Sequence, residues 1–192
     1  MKKILVIMLA FVLLLSACGS DLPSGAGDFS GFEGYNKELS EEELNQIMKN
    51  GKVELENRPD ENICYVSIIC ETAIKNDELS DSMRAILPED GVVLDNVLVE
   101  YEDGATVFDV LAKTVRENKI HMEYTGSAKI PYVEGIANLY EFECGPLSGW
   151  MYQVNGWFPS FSMGQYKIEP GDAVSFVYTC DLGEDVGDTY TH

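Results

Sequence analysis

An α+β fold, with one main helix packed across one face of a mixed sheet, is what this sequence predicts, on three observations. Two β-rich runs precede a single well-capped amphipathic helix, the hydrophobic period changes from helical to two after residue 139, and tight-turn signals then separate further strands. Strands on both sides of one helix with one apolar stripe place that helix across a sheet. No internal repeat is evident.

The chain opens with Lys2 and Lys3, an apolar run Ile4 to Leu15, and Leu15-Ser16-Ala17-Cys18. This is a signal peptide with a lipoprotein-type cleavage site, residues 1–17. The run is about a dozen residues long, short of the roughly 20 a membrane span needs. Cys18 is the expected lipidation site, because two small residues precede it and a polar, Gly-rich stretch follows. Buried acyl chains contribute about 0.8 kcal/mol per methylene, so several on one Cys make a slow-leaving anchor. The chain is therefore expected at the cell membrane, lipid-anchored on the extracytoplasmic face.

Cleavage removes two lysines and no acids, leaving 33 acidic residues against 11 basic ones and a formal charge of −22. Such a surface repels phosphate backbones, which excludes nucleic acid as a partner. Residues 18–36 carry too little aliphatic content to pack and read as a flexible tether. In residues 37–62, a short helix and connector, Ser40 and Glu43 make a capping box, and Leu44, Ile47 and Met48 recur at helical spacing up to Gly51.

A globular domain is expected over residues 63–187. Its first strand is Ile63 to about Ala73, β-branched and aromatic without a breaker. A short helix from Asp81 to Leu87 follows, capped by Ser80 and stopped by Pro88. Val92 to Glu102 is the second strand, with Val93, Val97, Val99 and Tyr101 on one side. Thr106 and Asp109 cap the main helix, where Val107, Val110, Leu111, Thr114 and Val115 form the stripe, and it ends near Asn118. From Leu139, Tyr140, Phe142 and Cys144 alternate with Glu141 and Glu143, the pattern of a half-wet strand. Trp150 to Val154 returns it, Asn155-Gly156 is a tight turn, and Glu169-Pro170-Gly171-Asp172 fits a type II turn before the last strand, Ala173 to Thr179. Residues 188–192 are an acidic tail.

Apart from Cys18, four cysteines remain, Cys64, Cys70, Cys144 and Cys180, an even number suited to two disulfides in an oxidising compartment. Cys64 and Cys70 lie along one strand, about 20 Å apart at 3.3 Å per residue, too far to bond to each other. No metal site is expected, since no Cys-x-x-Cys occurs and only His121 and His192 are available. No catalytic residue is identified either. The chain has no Gly-x-Ser-x-Gly, no His-Glu-x-x-His and no phosphate-binding glycine loop, and His121 is expected at the surface after the main helix. The acids Asp181, Glu184, Asp185 and Asp188 read as a solvated end.

Aromatic density between Trp150 and Tyr166 is the unusual feature. Trp150 and Tyr152 suit strand packing, whereas Trp157, Phe158 and Phe161 fall in a loop after a tight turn, a common ligand-binding arrangement.

Ser148-Gly149-Trp150-Met151-Tyr152-Gln153-Val154-Asn155-Gly156, with Tyr166, Pro170-Gly171-Asp172-Ala173-Val174 and Tyr178-Thr179, resembles the transcobalamin-like C-terminal domain family, of the kind found as DUF4430 on bacterial surface lipoproteins. The opening Gly104-Ala105-Thr106-Val107-Phe108-Asp109-Val110-Leu111 fits as well, so the resemblance covers roughly residues 63–187. It implies a β-grasp-like fold, in which the first and last strands run parallel side by side. That arrangement implies in turn the disulfides Cys70–Cys180 and Cys64–Cys144. In the vertebrate cobalamin carriers of this family a helical barrel holds the other side of the corrinoid, and this chain has no room for one. The resemblance therefore implies no required cofactor, cobalamin or a related corrinoid as the ligand to test, and a second surface protein as partner. Carried over, the ligand face is Trp150, Asn155, Gly156 and Trp157; Phe158 and Phe161 join it from the loop argument. The function expected is a non-catalytic binding module on a membrane-anchored lipoprotein, the alternative being a structural or adhesion module without a small ligand.

Overall fold

The computed structural model describes residues 37–188. The signal peptide, the tether, Cys18 and the last four residues of the acidic tail lie outside them. The described elements are α1 (Glu41–Gly51), β1 (Ile63–Ile69), α2 (Glu71–Lys75), α3 (Asp81–Arg84), β2 (Val92–Glu100), α4 (Val107–Asn118), β3 (Met122–Gly126), β4 (Pro131–Ile136), β5 (Leu139–Tyr140), β6 (Gly149–Val154) and β7 (Ala173–Thr179), with a short 3-10 turn at Glu184–Val186. Four strands form the main sheet in the order β2-β1-β7-β6, and β3-β4-β5 form a second, smaller one.

β1 and β7 run parallel, Tyr65 opposite Ala173 and Ile69 opposite Val177, while β2 and β6 flank them antiparallel. The first and last strands are thus central neighbours, as the resemblance implied. Strand pleat places Cys64, Val66 and Ile68 of β1 and Val174 and Phe176 of β7 on the face that α4 covers. From α4, Val107, Phe108, Val110, Leu111, Thr114 and Val115 are buried, each full-sized apolar side chain contributing about 1.5–3 kcal/mol. The Thr106/Asp109 capping box opens α4 as read. Thr114 tolerates burial because its hydroxyl donates to Val110 O at 2.8 Å.

Three strand readings need correction. β1 stops at Ile69, since Cys70 N donates to Gly91 O and the chain turns into α2 there. The alternation after Leu139 is not a strand beyond Tyr140; Phe142 takes a left-handed φ of 67° and sits 57 % exposed in a turn that Gly145 N closes onto Phe142 O. β3, almost wholly solvated, shows no apolar period, and β4, with Pro131, Val133 and Ile136 buried, was not read as a strand either.

The cysteines also depart from expectation. All four are free thiols, and the expected partners Cys64 and Cys144 fall in different core clusters. Cys64 packs in the α4-side cluster with Val99 and Val107, at the other end of β1 from Cys70, whereas Cys144 belongs to the cluster of Cys70, Leu139 and Tyr178. Cys70 and Cys180 do share one end of the sheet, but β7 runs past β1, and the neighbour Cys180 meets is Cys144, within side-chain hydrogen-bonding distance. Burial pushes the thiols up, Cys64 and Cys144 to about 12 and Cys70 to about 11, so none is an activated nucleophile.

Candidate functional site

Of the six expected ligand residues, the structure gathers some under a cover and commits the rest to the frame. Asn155 (φ 53°) and Gly156 (φ 83°) make the tight turn between β6 and Trp157, with Trp157 N donating to Val154 O at 3.0 Å. The Asn155 amide is fully used: Nδ2 donates to Asp172 Oδ1 at 2.9 Å and Oδ1 accepts from Ala173 N at 2.8 Å. Trp150 donates its indole N–H to Leu139 O at 2.8 Å and sets its ring edge-on to Tyr178. Gly156 is exposed and Trp157 half-buried, but Phe158 is 5 % and Phe161 0 % exposed. The loop reading is corrected accordingly: residues 157–164 fold inward, because Tyr152 Oη donates to Phe161 O at 2.8 Å and draws the loop onto the sheet.

The aromatics form a bed. Phe161 stacks on Tyr166 with centroids 5.9 Å apart and planes 7° from parallel, and Trp157 leans on both at 6.4 and 6.3 Å. Aromatic pairs at such distances contribute about 0.5–1.5 kcal/mol each beyond area burial. Trp157 Nε1 and Tyr166 Oη are buried there without a hydrogen-bond partner among the described residues. Burial raises the Tyr166 hydroxyl well above its ordinary range.

What covers the bed is the chain's own segment 37–58. Gly51, at the end of α1, lies so close to the Trp157 indole that an added Cβ would fall 2.2 Å from Cε2. Leu44, Ile47 and Met48 pack against the same core. Polar contacts hold the rest. Gln165 Nε2 donates to Leu39 O at 3.0 Å, Lys129 pairs with Glu38, and Lys52 Nζ stands 2.5 Å from Glu169.

The final link is buried. Arg58 Nη1 donates to Pro170 O and to Asp172 Oδ1, both at 2.8 Å, while Nη2 stands 2.8 Å from Glu169 without the alignment of a hydrogen bond. Asp172 is 0 % exposed, and its other oxygen accepts from Glu169 N at 2.9 Å. A carboxylate so placed needs these partners, since an unpaired buried charge costs several kcal/mol. Sequence reading missed this hub. Its signal was present in Arg58, which with Lys52 is one of two cations in an acidic connector, and in the Asp172 that ends a type II turn.

Elsewhere, an open groove of about 570 Å³ runs past Glu100, Glu102, Asp103, Asp109 and Lys113, and contains none of the six expected residues. His121 is exposed, with Nε2 2.9 Å from Tyr140 Oη. Among the described residues no cluster of His, Cys, Asp or Glu has the shape of a metal site. Asp185 is not a free tail acid, for it accepts from Cys180 N at 2.8 Å.

Residues 104–179 match the family model described as a domain of unknown function, DUF4430. The motif run Ser148 to Gly156 and the helix opening at Gly104 both lie inside the match, as the resemblance to transcobalamin-like domains required. Among solved structures the chain is similar to haptocorrin in complex with Cbi, at 16 % identity and TM-score 0.44, over 66 % of this chain and 27 % of that one. The chain thus spans about a quarter of the haptocorrin chain. It is also similar to a Ruminococcus gnavus protein described as a candidate metal binder, at 14 % identity and TM-score 0.36, over 62 % of this chain and 97 % of that one. No curated protein matches it in sequence.

Proposed function

We propose that this chain is a membrane-anchored lipoprotein on the extracytoplasmic face, whose folded part is a non-catalytic binding module for a flat, partly polar ligand of the corrinoid class. Segment 37–58 occupies the bed in the free state and lifts when ligand enters, and a second surface protein supplies the opposite wall. The observation that carries the reading is the pair of unmade polar bonds, Trp157 Nε1 and Tyr166 Oη, inside a bed of stacked rings. A buried polar group left unpaired costs about 1–3 kcal/mol, and a planar ligand with acceptors at its rim recovers that on binding.

Calorimetry of the full mature chain in detergent tests this, with cobinamide and cobalamin at about 0.1 mM, a range that reads dissociation constants from micromolar upward. Gln165→Ala, which frees Leu39, is expected to bind more tightly than the parent. Absence of heat from both proteins rejects the ligand. Mass spectrometry of the membrane fraction tests the anchor separately, an acylated Cys18 as first residue being the expected result and an unmodified terminus nearby the opposite one.

A second reading, a structural or adhesion module without a small ligand, is favoured by one observation. Phe158 and Phe161 are core residues, at 5 % and 0 % exposure. It expects segment 37–58 to stay in place, so that acrylamide quenches Trp157 poorly whether or not corrinoid is added.

A further inference from the structure

We propose that Cys144 and Cys180 form the chain's disulfide in its oxidised state, while Cys64 and Cys70 remain buried thiols. The ends of β6 and β7 and the turn between Phe142 and Ser148 converge on these two residues. β6 begins opposite the end of β7, with Gly149 paired to Thr179, so the residues before the one and after the other run side by side. Leu182 N donates to Leu147 O at 3.1 Å, which fixes the segment carrying Cys180 against the turn carrying Cys144. That turn is itself rigid. Ser148 Oγ accepts from Cys144 N at 3.1 Å and lies 3.0 Å from Tyr178 Oη, and Phe142 N donates to Ser148 O. The two thiols accordingly stand within side-chain hydrogen-bonding distance of each other.

The rival pairings fail on the same geometry. Cys70 shares a cluster with Cys144 and Cys180, but those two interact through their side chains, whereas the charge that reaches Cys70 is that of Asp90. Cys64 lies six residues back along β1, about 20 Å by strand rise, in the other core cluster.

Cys180 is half-buried and Cys144 only 3 % exposed, which orders the chemistry. The Cys180 thiolate attacks an external disulfide, glutathione disulfide or an exported thiol–disulfide oxidoreductase, releasing one thiolate of that oxidant and forming a mixed disulfide. The Cys144 thiolate then displaces the second. In sum the two cysteines lose two protons and two electrons, and the oxidant leaves as two thiols. The bridge pins the 141–148 turn, which bears the exposed Phe142 and Leu147, to the end of β7.

The proposal is independent of the lipid anchor and of any ligand, so its failure would leave those readings untouched. The test is to oxidise the purified full chain with glutathione disulfide, denature it, alkylate free thiols and map peptides by mass. The expected product is a 144–180 cross-linked peptide, two hydrogens lighter than its reduced halves, with Cys64 and Cys70 alkylated. Reduction should then lower Tm by about 10 °C, the scale set by opening a loop of about 37 residues. Cys180→Ser should remove that reductant sensitivity and Cys70→Ser should retain it. A link through Cys64 or Cys70, or four alkylated cysteines after oxidation, overturns the proposal.

Discussion

The two ends of the parallel pair β1 and β7 are held by opposite chemistry. At the Asp172 end the carboxylate is wholly buried and takes bonds from Arg58, Asn155 and Glu169, so that the connector, the β6–β7 turn and the start of β7 meet on one charge. At the other end Cys70, Cys144, Leu139 and Tyr178 pack as an apolar cluster, and Arg84 spends its guanidinium on the backbone carbonyls of Ile74, Asn76 and Leu79. A charged hub is intolerant, since losing one member strands the others. An apolar cluster with thiols responds instead to volume and to redox state. The first end joins segment 37–58 to the domain, and the second joins the 141–148 turn to it.

The largest effect is expected from Asp172→Ala. It leaves the Arg58 guanidinium without its buried partner, removes one acceptor of the Asn155 Nδ2 and leaves the Glu169 N–H unpaired, which should cost about 3–5 kcal/mol in urea unfolding. A loss below about 1 kcal/mol would mean that water replaces the carboxylate readily, and the contrast between the two ends would collapse.

Next in size is an alkaline weakening of the reduced chain, which reads the thiols. Burial raises Cys64 to about 12 and Cys70 to about 11 from an ordinary 9.0. The unfolded thiols lose their protons near 9 and the folded ones only near 11–12, so the unfolded state binds fewer protons in that window and stability falls as pH rises through it. Their contribution is whole below about 9. The urea midpoint should drop between about pH 8 and about pH 10.5, and Cys64→Val, which keeps an apolar side chain there, should shrink the drop. An equal drop in parent and variant would assign the effect to groups other than Cys64.

How much of this was legible in sequence divides along the same line. Elements whose boundaries are set by local chemistry were readable: both capping boxes, the Asn155-Gly156 turn, the Pro170-Gly171 turn, and β7 to the residue. Pairings across the chain were not. Counting four cysteines as two bridges, with Cys64 and Cys70 barred from each other, also barred Cys144 from Cys180, the pair the fold brings together. The false strand through Phe142 arose because a turn with Phe at positive φ can show period two by accident, and only the third dimension reveals that its side chain points to solvent. The loop aromatics were singled out in sequence as a ligand face, whereas Phe158 and Phe161 turn inward. Their cover could not be foreseen, because α1 looks in sequence like any amphipathic helix and nothing local says which face of the domain it meets.

A smaller effect should follow Gly51→Ala. The added methyl would enter the space of the Trp157 indole, so the end of α1 must rise, at about 1–3 kcal/mol of overpacking, offset in part by the better helix propensity of Ala, about 1 kcal/mol. In a Trp150→Phe background, which leaves Trp157 as the chain's one tryptophan, acrylamide quenching should increase. Unchanged quenching would place the flexibility in the indole rather than in α1.

The smallest effect concerns the start of the same helix, and it separates fraying of α1 from detachment of the whole cover. Glu43 is held down to about 2 by the Ser40 backbone N–H, with Lys37 and the Ser40 hydroxyl adding to it. Its folded value lies below its ordinary 4.5, so its contribution is present above about 4.5 and disappears as pH falls through about 2. Glu43→Gln should therefore quench more readily than the parent near neutral pH and equally near pH 2, the two curves converging through that window. If they run parallel throughout, the capping box does not govern the cover. The hold on segment 37–58 then rests on its far end, where Lys52 and Arg58 meet Glu169 and Asp172, and the hub joins this segment to the rest of the fold with no help from the cap.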